Sequence, residues 1–176
     1  MAVLGNGARR EFEAFVATSS TRLLRTAYLL CGDREHAEDL VQMTLLRTAR
    51  RWHAARPRPE AYARRVLVNL AKDRWRDLGR QPAEVRLSGT VDVAAGFGEP
   101  ELRIDRDQLI AALATLSDGQ RAVVVLRYFD DLSVDDTAAA LRCSAGTVKS
   151  QTSRALAALR SALIHPEPAK GTLDVH

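Results

Sequence analysis

Apolar residues return every three or four positions along most of this chain, the spacing that keeps them on one face of a helix. Phe12, Phe15, Val16, Leu23, Ala27 and Leu30 keep that rhythm until Gly32-Asp33 interrupts it. Asp33 is placed to cap a second helix, whose inward stripe is Ala37, Leu40, Val41, Thr44, Leu45 and Thr48. The stretch RWHAARPRPE, 51–60, reads as a loop, because its two prolines cannot sit inside a helix. A third helix is predicted over about 60–78, with Tyr62, Val66 and Leu70 towards the core. The rhythm then stops: 81–100 is Gly, Pro, Ser, Val and acids, a linker that fully extended would reach at most ~70 Å. It resumes with Leu102, Leu109, Leu113 and Leu116 on one face. Ser117-Asp118-Gly119-Gln120 is a capping box opening a buried helix over 122–129, which a turn at Asp130-Asp131 ends. Ser133 caps a short helix to about 141, and Ser144 caps the last, 145–163. The proline-broken, polar tail 165–176 is predicted to be disordered. The fold class is all-α: two small helical domains joined by a flexible linker.

The last helix has two unlike sides. At 100° per residue, Val148, Thr152, Leu156, Leu159 and Leu163 share the side expected to face the core. Thr147, Ser150, Gln151 and Arg154 gather opposite, with Lys149, Ser153 and Arg160 along a flank. No carboxylate occurs between Thr137 and Pro166. A solvated face normally mixes Glu with Lys; this one instead offers short donors and acceptors suited to base edges, with cations suited to phosphate. With the short helix before it, Ala138 at the contact and Cys143 in the turn, the pair reads as a helix-turn-helix laying its second helix in a major groove.

Charge reinforces a nucleic-acid reading. The formal net charge is only +4, but 47–80 holds eleven Lys and Arg against Glu60, Asp73 and Asp77, a net of +8. A field concentrated in two separated patches suits a polyanion held at two places. On the third helix Arg65, Asn69, Lys72 and Arg76 form one strip bordered by Val68 and Trp75, beside Arg56 and Arg58 in the loop. Cations interleaved with an aromatic suit a single strand, its backbone held by charge and its bases stacked or pocketed. The outward side of the second helix carries Asp39, Gln42, Met43 and Leu46, two apolar residues framed by an acid and an amide, as on a protein-docking surface.

Other classes find little support. Cys31 and Cys143 are far apart and lack a CxxC or a nearby His pair, so free thiols are expected rather than zinc or a disulfide. The four histidines are scattered, and Asp39, Asp73 and Asp77 lack the spacing of a catalytic carboxylate cluster. The expectation is therefore no catalytic residue, no metal, no cofactor and no small-molecule substrate. No run approaches the ~18 apolar residues of a membrane span, and no signal-peptide layout opens the chain, so a soluble, cytoplasmic protein is expected.

Four segments in order resemble the extracytoplasmic-function sigma factors, the two-domain initiation subunits of bacterial RNA polymerase: AEDLVQMTLLR (37–47), AYARRVLVNLAKDRWR (61–76), LSDGQRAVVVLRYFDDLSVDDTAAAL (116–141) and SAGTVKSQTSRALAALR (144–160). The resemblance implies a region 2 domain over 9–80, a linker over 81–101, a region 4 domain over 102–164 and the tail 165–176. It implies that Asp39, Leu40, Gln42, Met43 and Leu46 bind the clamp helices of core polymerase. Arg56, Arg58, Arg65, Asn69, Lys72, Trp75 and Arg76 would bind the melted −10 strand. Thr147, Lys149, Ser150, Gln151, Ser153 and Arg154 would read the double-stranded −35 element, while the fourth and fifth helices dock the flap. The linker, with Asp92, Glu99 and Glu101, would thread towards the RNA exit path, and an anti-sigma factor is the expected regulator.

Three departures from the family pattern bear on these roles. Arg142 stands where the turn usually has Gly, so a left-handed backbone there costs ~1 kcal/mol. Tyr62 stands for a frequent Trp. Gln151 stands where Arg is frequent; in the −35 sequence Gln favours adenine, whereas Arg favours guanine. The alternative is a stand-alone helix-turn-helix DNA-binding regulator with a sensory N-terminal domain, which the helical, Arg-rich first half disfavours.

Overall fold

A computed structural model describes residues 5–79 and 106–164. The linker expected over 81–101, Leu102, and the tail 165–176 lie outside the described residues. Among the described residues every regular element is helical.

Helix α1 (Asn6–Cys31) ends where expected: Gly32 adopts φ 74°, a left-handed conformation glycine enters without strain, and its N–H donates to the Tyr28 carbonyl at 2.7 Å. Asp33 caps α2 (Arg34–Arg50), its carboxylate accepting from the His36 N–H at 2.9 Å. Residues 51–58 are not a plain loop. Trp52–Ala55 form one helical turn, α3, because Trp52 is driven into the core, edge-on to Phe12 at 5.2 Å and tilted on Phe15 at 5.7 Å. Pro59 then opens α4 (Pro59–Gly79), where a missing N–H costs nothing.

The second half contains α5 (Arg106–Ala114), α6 (Asp118–Val124), α7 (Val134–Leu141) and α8 (Ala145–Ile164). Ser117 and Gln120 form both bonds of the capping box. The helix expected over 122–129 changes character at Val125: Val125–Phe129 is a π-helical turn, and the Asp130 N–H reaches back to the Val125 carbonyl at 3.1 Å. Arg142 ends α7 at φ 56°, ψ 48°, the left-handed conformation expected at that turn.

The two halves share one continuous buried cluster, with α4 in the middle. One side of α4 packs on α1 and α2, the other on α7 and α6. Consequently α4 buries Ala63, Leu67, Val68, Ala71 and Trp75, whereas Tyr62, Val66 and Leu70 are half-buried. The last turn of α1 is likewise covered all round: Thr26 to Leu30 are five consecutive buried residues. The phase of α8 also differs from expectation. Val148 and Ala155 are buried, Thr152 and Leu159 are half-buried, and Leu156 and Leu163 reach solvent. Ala155, too small to weigh in a hydrophobic pattern, lets the neighbouring helices approach closely and turns the larger Leu156 to the rim.

Candidate nucleic-acid and polymerase interface

Three surfaces emerge. On α2, Ala37, Leu40, Val41, Thr44 and Thr48 point inward, which leaves Asp39, Gln42, Met43 and Leu46 outside. Met43 and Leu46 are 43% and 44% exposed, so they do not pack beneath α1. Leu40 is buried and holds α2 on the core, while its neighbours Asp39, Gln42, Met43 and Leu46 face outward.

Between α2 and α4 lies an open cavity of about 450 Å³, lined by Arg47, Arg50, Arg51, Tyr62, Val66 and Asn69. Three guanidinium groups line it with a half-buried phenol and an amide, side chains chemically able to pair with phosphate, stack on a base and bond a base edge. Of these six, the sequence pattern singled out only Asn69. In the sequence pattern the three arginines count only as charge, and Tyr62 and Val66 fall on the side expected to face the core. The signal was the Arg47, Arg50, Arg51 spacing, which crowds guanidinium groups at the end of α2 opposite one face of α4. Arg56, Arg58, Arg65 and Arg76 are exposed but do not line it, and Arg76 pairs with Asp73 at 3.0 Å.

Lys72 and Trp75 sit elsewhere. Lys72 donates to the Leu141 carbonyl at the end of α7 at 3.1 Å, and burial lowers its pKa. Trp75 is only 8% exposed and lies against the Arg121 guanidinium of α6. In this arrangement neither side chain shares the open cationic surface of Arg65 and Asn69.

On α8, Thr147, Lys149, Ser150, Ser153 and Arg154 are exposed, and Gln151 is half-buried at the edge. Ser144 caps the helix by accepting from the Thr147 N–H at 3.0 Å, and its hydroxyl meets the Thr147 hydroxyl at 2.9 Å. The Ser150 hydroxyl donates to the Thr147 carbonyl at 3.0 Å, leaving oxygen lone pairs outward. The free face is thus polar, cationic and without a carboxylate. Among the described residues no helix is long and apolar enough to cross a membrane.

Known proteins match both halves of the chain in the same order. Residues 15–81 match the Sigma-70 region 2 family and residues 106–159 the Sigma-70, region 4 family. The RNA polymerase sigma-E factor of Streptomyces avermitilis is 42% identical over 164 residues, covering 91% of this chain and 89% of that one. The ECF RNA polymerase sigma factor SigL of Mycobacterium tuberculosis is 35% identical over 156 residues, covering 80% and 82%. Among solved structures, the sigma factor RpoE in complex with the anti-sigma factor NepR, from Bartonella quintana, superposes with a TM-score of 0.68 at 26% identity, covering 90% of this chain and 99% of that one. CnrH in complex with the cytosolic domain of CnrY gives a TM-score of 0.64 at 25% identity, covering 89% of each. A region 2 and a region 4 in order, relatives matched over most of their length and a shared two-part helical fold lead to one conclusion: the chain belongs to the extracytoplasmic-function sigma factors.

Proposed function

We propose that this sigma factor directs core RNA polymerase to promoters by gripping DNA at two points. The outward face of α2, with Asp39, Gln42, Met43 and Leu46, docks on the polymerase clamp helices. The polar face of α8 enters the major groove at −35, where Gln151 and Arg154 bond base edges and Lys149 and Ser153 hold phosphate. The cavity between α2 and α4 takes an unstacked base of the −10 strand: Arg47, Arg50 and Arg51 neutralise backbone, Tyr62 stacks, and Asn69 bonds the base edge. Arg56, Arg58, Arg65 and Arg76 extend the charged track, and Lys72 and Trp75 join it once their side of α4 is uncovered.

Extruding a base costs a few kcal/mol. Stacking at ~1–3 kcal/mol per base, with phosphate contacts, offsets that cost. The chain itself supplies binding energy in the cytoplasm, not chemistry; bond formation belongs to polymerase, with no cofactor or metal on this subunit. An anti-sigma factor is the natural regulator, since both solved relatives above are bound to partner chains.

The observation that carries the reading is the arginine-lined cavity with Tyr62 and Asn69. Run-off transcription with purified core polymerase on a promoter library tests it. Core-dependent initiation at a defined sequence class is expected; no initiation at any template would overturn it.

A further inference from the structure

The hydroxyl groups in the first turns of α8 are not free rotors. The Ser144 hydroxyl accepts from the Thr147 N–H at 3.0 Å and meets the Thr147 hydroxyl at 2.9 Å. One turn on, the Ser150 hydroxyl donates to the Thr147 carbonyl at 3.0 Å. A serine hydroxyl has one proton and two lone pairs, so a Ser150 whose proton is committed to the backbone can only accept from anything else. Ser150 is nonetheless exposed, on the outward line of α8 between Thr147 and Arg154.

Acceptors are scarce on this face. Lys149 and Arg154 only donate, and no carboxylate occurs between Thr137 and Pro166. The Thr147 hydroxyl is turned back to the cap, Gln151 is half-buried at the edge, and Ser153 lies on the flank. Ser150 therefore presents the central outward oxygen that a hydrogen-bond donor would meet. In the major groove the bases divide by what they present there. Adenine and cytosine carry exocyclic amino groups, which donate, whereas guanine and thymine carry keto oxygens, which accept. An acceptor-only hydroxyl tells these classes apart: it bonds an amino group directly, but faces a keto oxygen lone pair to lone pair unless its proton first leaves the Thr147 carbonyl.

Arg154 stands one turn further along the same side, its Cβ about 5–6 Å from that of Ser150 by helix geometry. Base pairs stack ~3.4 Å apart, so residues spaced in this way face pairs one or two steps apart. We propose that Ser150 is a specificity-determining residue of the −35 contact. It selects a base with a major-groove amino group, adenine or cytosine, within two pairs of the base that Arg154 reads. The assignment rests on the reading of α8 as the −35 helix.

The test uses holoenzyme assembled from core polymerase and the full chain, wild type or Ser150→Ala, on promoters with randomised −35 pairs. At one position wild type is expected to prefer A or C over G or T about three- to tenfold, the worth of a single hydrogen bond. Ser150→Ala is expected to abolish that preference while the neighbouring preference set by Arg154 remains. Deleting the amino group itself completes the cycle. At the selected position adenine is replaced by purine, which lacks the 6-amino group, or cytosine by 2-pyrimidinone, which lacks the 4-amino group. Wild type should then lose about three- to tenfold in binding, whereas Ser150→Ala should bind the parent and the altered duplex alike. A merely structural role for Ser150 would weaken binding to both duplexes equally. Equal losses in both proteins, a −35 preference that Ser150→Ala leaves untouched, or a lost preference for G or T would overturn the assignment while leaving α8 as the −35 helix. A wild-type holoenzyme with no preference at any −35 position would refute the −35 reading itself, and the assignment with it.

Discussion

Arg121 of α6 lies 5.8 Å from the centroid of the Trp75 ring of α4, joining a region 4 cation to a region 2 aromatic. The same guanidinium donates to the carbonyls of Leu113 at 2.9 Å, Ala114 at 3.2 Å and Leu30 at 3.0 Å, so it closes the ends of α5 and α1 together. Burial lowers its pKa, but arginine remains charged at any working pH. Removing it strands several carbonyls at once. Arg121→Ala is expected to cost about 2–4 kcal/mol, with a change in tryptophan emission. Arg121→Lys, which lacks the planar fork, should recover less than half of that loss. Chemical denaturation followed by fluorescence measures both.

The exposed pair on α2 separates docking from stability. Met43→Asp or Leu46→Asp should weaken core polymerase binding at least tenfold while moving the unfolding free energy by no more than ~0.5 kcal/mol. Leu40→Ala one turn away should do the opposite, costing about 2–4 kcal/mol of stability through the cavity it leaves. Titration of labelled core, paired with thermal melts, distinguishes the two. A docking loss that simply tracks the melts would refute the assignment.

The two DNA sites should fail differently. Tyr62→Ala is expected to lose ~1–3 kcal/mol on a template with an exposed −10 strand, the value of one stacked base. Arg154→Ala should relax −35 selectivity and leave binding of an isolated −10 strand unchanged. Gel shifts of the holoenzyme on duplex and pre-melted templates read this contrast. Equal losses for both variants on both templates would contradict it.

Arg142 holds φ 56° at the end of α7, where its Cβ crowds the backbone. Arg142→Gly should therefore be stabilising. Relief of ~1–2 kcal/mol of left-handed strain outweighs the greater freedom glycine gives the unfolded chain. The net gain is expected to be at most about 1 kcal/mol, or ~2–4 °C in Tm. A fall in Tm would show that the Arg142 side chain makes a contribution larger than its strain.

Cys31 is packed at the junction of α1 and α2, its thiol donating to the Asp33 carbonyl at 3.1 Å. Burial raises its pKa from 9.0 to about 11. The folded state thus holds the proton more tightly than the unfolded state. That stabilisation is fully present below pH ~9 and is lost as pH climbs towards ~11. Relative to Cys31→Ala, the wild type should lose on the order of 2 kcal/mol across that window. Parallel pH dependences would refute the buried, protonated thiol.

Much of this molecule follows from local chemistry. Gly32 and Asp33, the Ser117–Gln120 box, Ser133 and Ser144 each end or begin a helix where the sequence alone placed that boundary, because capping is settled within four residues. The carboxylate-free outer side of α8 and the exposed Met43 and Leu46 were legible for a similar reason: a single buried stripe leaves the opposite side to solvent. The exceptions are helices covered twice. α4 lies between two bundles, so Val68 and Trp75 are buried although they border its charged strip. The last turn of α1 is enclosed for the same reason, and the small Ala155 set the rotation of α8. Local spacing determined the long helices, their caps and their polar faces, but neither the α3 turn that Trp52 anchors nor the π turn at Val125–Phe129. Only tertiary packing decided which second face each central helix would bury, how Arg47, Arg50 and Arg51 meet Tyr62 and Asn69 around one cavity, and that Asp130 would cross to Arg64. These depend on contacts between residues distant in the chain, and a periodic pattern carries no record of them.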